Sequence, residues 1–284
     1  MPRLRLAVAL LVPGDAAVEI DGLRRALGDP GLDSVVPHLT LVPPVNVRLD
    51  DVVDVLRSIR AAAAGSVPLT LRLGPPATFA PATPVVYLPV DGDIDGVRRL
   101  QAALRRGPMA RPLVHEFVPH VTLHEACAPE RIDAALRALA GYTVEVRVDR
   151  VHLLRDRSPG PRRWNPIADA RFEPPLVVGR GGREVEVTVS SIADPEVVAW
   201  FAERGVPVIV PGVEPRSEPR AEPVVVVARS DGAVVAGARG SVVDGAPVFD
   251  EVVGDGELTS VLLRAAEQSL AARLGSARVR SVLG

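Results

Sequence analysis

The chain has 284 residues, 47% of them hydrophobic and only 3% aromatic, so its cores have to be built from Val, Leu and Ala, and its length suits two domains of roughly 100 to 200 residues each. A formal net charge of −2 with a pI near 6.2 excludes a protein that holds long duplex nucleic acid through a broad basic surface, and leaves a small anionic substrate or an RNA end open. A single cysteine, Cys127, cannot form an internal disulfide and points to a reducing, cytoplasmic setting, while no stretch approaches the roughly 18 apolar residues that a membrane span needs.

Arg3 and Arg5 precede a short apolar run that breaks at Pro13-Gly14 without a small-x-small cleavage site. The alternation of Leu4, Leu6, Val8 and Leu10 therefore reads as a first strand, near 4–12, and not as a leader. A helix near 15–27 follows, then a strand near 34–42 that ends at Pro43-Pro44. The next helix, near 50–64, carries its apolar stripe on Val52, Val55, Leu56 and Ile59, with Asp50 and Asp51 at the positive end of its dipole. Strands near 67–73 and 85–90 flank a proline-rich turn, and Ile94, Val97, Leu100 and Leu104 mark another helical face. A strand near 117–124, a helix near 130–140, and two strands joined through Ser158-Pro159-Gly160-Pro161 complete an α+β domain over 1–172.

Pro174-Pro175 and Gly179 to Gly182 mark a linker over 173–182, and a smaller α/β domain occupies 183–284. It holds a helix near 194–204, a linker at 214–219, strands near 223–229, 233–241 and 246–253 with turns at Ser230-Asp231-Gly232 and Asp244-Gly245, a helix near 258–274 and a last strand near 277–283.

The chemically informative feature is a repeat: Pro37-His38-Leu39-Thr40-Leu41 and, 82 residues on, Pro119-His120-Val121-Thr122-Leu123. Strand side chains alternate faces, so each copy presents one imidazole beside one hydroxyl while its Leu and Val residues face a core. Two such strands in a central, pseudo-symmetric position would converge two imidazoles and two hydroxyls on one point. Near neutrality one imidazole can serve as general base and the other as general acid, and the threonines can hold the non-bridging oxygens of a phosphodiester. Two histidines fall short of the three protein ligands usual at catalytic zinc, so no metal and no cofactor is expected.

These paired motifs resemble those of the two-histidine phosphoesterases, the 2′-5′ RNA ligase-like family. The resemblance covers about 1–172. It implies a two-lobed α+β fold with central antiparallel sheets and metal-independent action on 2′,3′-cyclic phosphate RNA ends, 2′-5′ linkages or a small cyclic nucleotide. It makes His38 and His120 catalytic, and Thr40 and Thr122 the phosphate-binding pair. Further substrate contacts are open to His124, which shares the strand period of His120, and to His152, Arg155 and Trp164 in a segment whose arginines (147, 150, 155, 157, 162 and 163) outnumber its aspartates (149 and 156). A solvated strand end for His124, a solvated hairpin and a core tryptophan are the plainer alternatives. His115 reads as structural or exposed, and nothing near Cys127 suggests a nucleophile.

The C-terminal part resembles a piece of a GNAT-type N-acetyltransferase: a helix, an antiparallel meander, then Gly254-Asp255-Gly256-Glu257-Leu258-Thr259 before a helix. In that family a glycine-rich loop offers backbone N–H groups to the pyrophosphate of acetyl-CoA. Here Gly254, Glu257 and Thr259 stand where a basic residue and two glycines belong, which implies a degenerate accessory module. The alternatives to a phosphodiesterase are an N-acetyltransferase whose first half only binds its partner, and a non-catalytic RNA-binding protein.

Overall fold

The computed structural model describes residues 2–113, 115–157, 163–179, 184–207, 222–243, 246–274 and 280–281. The expected turn at 158–161, Arg162, residues 180–183, the 214–219 linker, the Asp244-Gly245 turn and most of the last strand lie outside those residues. The chain divides into two compact units, Met1–Asn165 and Pro166–Gly284.

The first unit runs β1 (Arg3–Leu11), α1 (Gly14–Leu27), β2 (His38–Arg48), α2 (Val52–Ala64), β3 (Leu69–Leu73), β4 (Ala77–Thr78), β5 (Val86–Gly92), α3 (Ile94–Leu104), β6 (His120–His124), α4 (Pro129–Ala138), β7 (Val144–Val148) and β8 (Arg150–Asp156). Its antiparallel strands pair in the order β7-β3-β5-β6-β2-β1-β8, with β4 on β5. β5 is shared: Tyr87 to Pro89 pair with β6, and Val90 to Gly92 with β3. β7 and β8 stand far apart in this order although only Asp149 separates them in the chain, so the sheet has to curl strongly.

β1 lies between β2 and β8, and both of its faces are covered: Leu6, Val8 and Leu10 on one, Ala7 and Ala9 on the other, all at 6% exposure or less. β2 does not stop at Pro43-Pro44 as expected. Its ladder to β1 jumps from Leu6↔Val45 to Val8↔Val42, so the two prolines sit in a bulge where no ladder N–H is required, and the strand continues to Arg48. The helices bury the expected stripes, Val52, Val55, Leu56 and Ile59 on α2 and Val97, Leu100 and Leu104 on α3. α1 ends in a Schellman turn, in which Gly28 at φ 72° and Asp29 donate back to Arg25 and Arg24.

The division between units falls inside β9 (Trp164–Arg171), seven residues before the expected boundary at 172. Segment 173–182, expected as a linker, contributes β10 (Leu176–Val178): its prolines immediately precede the strand and leave the ladder intact. The second unit continues with β11 (Val185–Ser190), α5 (Pro195–Ala202), β12 (Glu222–Ser230), β13 (Ala233–Val243), β14 (Ala246–Val253), α6 (Gly256–Leu274) and β15 (Arg280–Ser281). β10 and β11 are additional to the expected strands. The sheet is antiparallel except for a parallel β14–β15 pair. The valine run of β12 packs Val224 and Val226 into one core and Val225 and Val227 into another, the pattern of a strand covered on both faces. The first core includes Leu262, Ala265 and Ala266 of α6, and the second Val197 and Phe201 of α5.

Candidate active site

β2 and β6 both begin on histidine and meet in antiparallel register at Leu39↔Val121. That register sets His38 across from Thr122 and Thr40 across from His120. Opposed residues of such a pair have Cβ atoms about 5 Å apart, so the four side chains form one compact patch. Leu39, Leu41, Val121 and Leu123 turn the other way and are 2% exposed or less, whereas the four motif residues are half-buried. The buried quartet anchors the two strands, each such side chain contributing about 1.5 to 3 kcal/mol.

The neighbouring strands extend this face. Ala9 lies across from Thr40 on one side and His152 on the other, and Leu11 lies across from His38. Beyond β6, Tyr87 pairs with Thr122 and Pro89 with His120. The histidine patch is therefore bordered by a small apolar floor of Ala7, Ala9 and Leu154, against which Leu11, Val35 and Trp164 pack, and by aromatic rings on the opposite flank. Phe79 stacks on Tyr87 at 4.1 Å between centroids, and both rings meet His120 edge-on, at 5.1 and 5.3 Å.

Both imidazoles are held in the same way. Nδ1 of His38 lies 2.9 Å from the Val36 carbonyl oxygen, and Nδ1 of His120 lies 2.7 Å from that of Val118. A carbonyl only accepts, so each Nδ1 carries the proton and donates it, which leaves Nε2 as the nitrogen available for chemistry. Burial pushes both rings below the ordinary imidazole pKa, opposed in each case by that carbonyl contact, and the positive charges of Arg24 and His120 push His38 further down.

Arg24, at the end of α1, has no counterpart among the sequence-derived candidates. Its buried guanidinium donates to the carboxylates of Asp29 (2.9 Å) and Asp21 (2.8 Å) and to the carbonyls of Gly31 and Val35 (both 2.9 Å). It thereby ties the helix to the loop whose next carbonyl, that of Val36, orients His38. Nothing in the sequence distinguishes Arg24 from Arg25 until the fold is known. Phe79 and Tyr87 were also missed, although a phenylalanine in a proline-rich turn of a chain with 3% aromatics is a readable signal.

The remaining candidates separate. His152 is buried on the face of Ala9 and Thr40, and Trp164 packs beside the floor with the Arg5 guanidinium 5.9 Å from its ring. Arg155 pairs with Leu6, an odd number of residues along β8 from His152, and so projects from the opposite face of the sheet; its place in the site is corrected on that ground. His124 is not a solvated strand end: it is 6% exposed, and its Nδ1 accepts from the Ala126 N–H, closing the turn after β6. The arginine-rich segment is also divided, with Arg147 on β7 and Arg150 on β8 paired to Asp149. His115 is exposed. Cys127 is buried, and burial pushes its thiol pKa up. Among the described residues no three His, Cys, Asp or Glu side chains are grouped as a metal site, and no helix is long and apolar enough to cross a membrane.

In the second unit the N-terminus of α6 is capped by Asp255. Asp255 accepts from the Leu258 N–H through its carboxylate (2.8 Å), and its carbonyl accepts from the Thr259 N–H (2.8 Å).

Comparison with known proteins gives a match to the 2′-5′ RNA ligase superfamily over residues 12–160. A Bacillus pumilus (strain SAFR-032) protein named "Putative phosphoesterase" is 29% identical over 147 residues, 51% of this chain and 85% of that protein. A Bacillus licheniformis protein of the same description is 28% identical, again over 147 residues, 51% of this chain and 86% of that protein. Among solved structures, E. coli LigT complexed with 3′-AMP aligns with 60% of this chain and 99% of its own at 19% identity and a TM-score of 0.43. TT0787 of Thermus thermophilus aligns with 59% and 97% at 21% identity and a TM-score of 0.42.

Proposed function

The chain belongs to the 2′-5′ RNA ligase superfamily, and from that premise we propose that its first unit is a phosphodiesterase acting on a ribose-linked phosphodiester, with His38 and His120 as the acid–base pair. The observation that carries this reading is the single cross-strand register at Leu39↔Val121, which opposes each histidine to the other motif's threonine. With both Nδ1 protons committed to backbone carbonyls, one neutral ring accepts the proton of an attacking water at Nε2. The other, protonated at Nε2, delivers its proton to the leaving ribose oxygen as the P–O bond breaks. One proton enters the pair and one leaves, so the pair is restored after transfer to solvent. Thr40 and Thr122 donate to the non-bridging oxygens and hold the phosphorus in line.

The test is a panel of 2′,3′-cyclic mononucleotides, oligoribonucleotides ending in a cyclic phosphate, and 2′-5′ dinucleotides, with the product isomers resolved. At least one class should turn over to a single phosphate isomer, and an excess of chelator should leave that rate unchanged. Inactivity on all three classes overturns the reading, and inactivation by chelator with rescue by one divalent ion transfers the chemistry to a metal.

For the second unit we propose an accessory role, GNAT-like in pattern, that binds no acetyl-CoA. The Asp255 carboxylate occupies the N-terminus of α6, and Glu257 adds a second negative charge in its first turn. Calorimetric titration with acetyl-CoA is therefore expected to show no saturable binding in the micromolar range. Saturable micromolar binding by the wild-type protein would contradict this account.

A further inference from the structure

We propose that Arg24 is a positioning residue of the reaction: it breaks the near-symmetry of the histidine pair, so that His38 acts as the base and His120 as the acid. The inference rests on the phosphodiesterase reading and assigns the two roles within it. The backbone treats both rings alike. Each follows a proline whose carbonyl accepts a backbone N–H, that of Val12 at Pro37 (3.0 Å) and that of Val90 at Pro119 (3.2 Å). Each ring then donates from Nδ1 to the carbonyl two residues back. A difference between the rings has to come from what packs around them.

On the His38 side that is the loop between α1 and β2, with a buried guanidinium inside it. Nη1 of Arg24 donates to the Val35 carbonyl, one peptide short of the Val36 carbonyl that holds His38. A buried positive charge disfavours a second one nearby, and the charges that bear on His38 are this guanidinium and the His120 ring. Asp21 and Asp29 are bound to the guanidinium itself. β1 sets only Leu11 across from His38, and His152 of β8 lies beyond Ala9. The neighbours of His120 on β5 and the adjoining turn are neutral, Tyr87, Pro89 and Phe79, and His115 and Glu116 of the loop before β6 are exposed. Burial and the Val118 carbonyl are what act on His120. The one proton of the working pair therefore resides on His120. Nε2 of His38 takes a proton from water as the water oxygen bonds to phosphorus, and Nε2 of His120 gives its proton to the ribose oxygen as the P–O bond breaks. Exchange with solvent then removes one proton from His38 and returns one to His120.

The experiment is an NMR pH titration of the histidine ring signals in the full-length protein, assigned with His38→Asn and His120→Asn. In the wild type His38 should take its proton at lower pH than His120. Arg24→Gln should raise the proton affinity of His38 by about tenfold, the effect of one nearby charge, with little change at His120. Asp29→Asn leaves the guanidinium less balanced and should shift His38 in the opposite sense, whereas mere loosening of the loop would move both variants the same way. Arg24→Lys should restore most of the wild-type value, and Arg25→Gln, on the exposed neighbour, should change neither ring. A second arm uses a p-nitrophenyl phosphodiester, whose leaving group departs without a proton. His120→Ala should lose at least about tenfold less activity on it than on the best ribose substrate, and His38→Ala should lose equally on both. The reverse pattern, a His38 that protonates before His120, or shifts of the same sign in Arg24→Gln and Asp29→Asn would overturn the inference and leave the phosphodiesterase reading intact. Wild-type inactivity on every substrate would overturn that reading and the two roles with it, whatever the titration shows.

Discussion

Replacing either His38 or His120 with alanine should lower kcat by about 100- to 10,000-fold, because each substitution removes one of the two proton-transfer groups and the other cannot serve both roles in one turnover. The two losses should not multiply. Once one partner is gone the second has little left to contribute, so the double variant should resemble the slower single variant, as groups acting as a unit do. Thr40→Ala and Thr122→Ala remove one phosphate hydrogen bond each and should cost less than either histidine. Steady-state assays on the best substrate of the panel decide the matter, and near wild-type turnover by either histidine variant would exclude the mechanism.

Arg24→Ala should be the most damaging substitution for stability outside the hydrophobic core. It strands the carboxylate of Asp29, whose side chain is 3% exposed, and removes the donors to Gly31 and Val35. Breaking a buried pair by deleting one partner costs about 3 to 5 kcal/mol, since the remaining charge is left desolvated and uncompensated. Arg24→Lys keeps the charge but loses the fork that reaches four acceptors, so it should recover only part of the loss. Denaturant unfolding checks the size, and a loss under about 1 kcal/mol for Arg24→Ala would show that the network is incidental.

Much of this was readable beforehand, for identifiable reasons. The period-2 alternation around His38 and His120 fixed which side chains share a face, and the helix stripes of α2 and α3 follow directly from apolar spacing. What local pattern could not supply was pairing. Pro43 and Pro44 look like a strand end until the bulge against β1 is known. Arg155 looks like a site residue until its register with Leu6 turns it to the far face, and Arg147 and Arg150 look like one patch until they fall on strands at distant places in the pairing order. Arg24 and Phe79 reach the histidines through loops, where sequence separation carries no geometric information.

The central claim is tested most directly by the pH dependence of kcat/KM. Catalysis needs one ring protonated and one neutral: the rate falls at low pH as the base is protonated and at high pH as the acid is lost. Burial lowers both imidazoles from their ordinary value of about 6.5, so the singly protonated pair is most populated on the acid side of that value. The account predicts a bell-shaped profile with its maximum below about pH 6.5, and loss of one limb in the residual activity of each histidine variant. A flat profile, or a bell that both histidine variants retain unchanged, would contradict it.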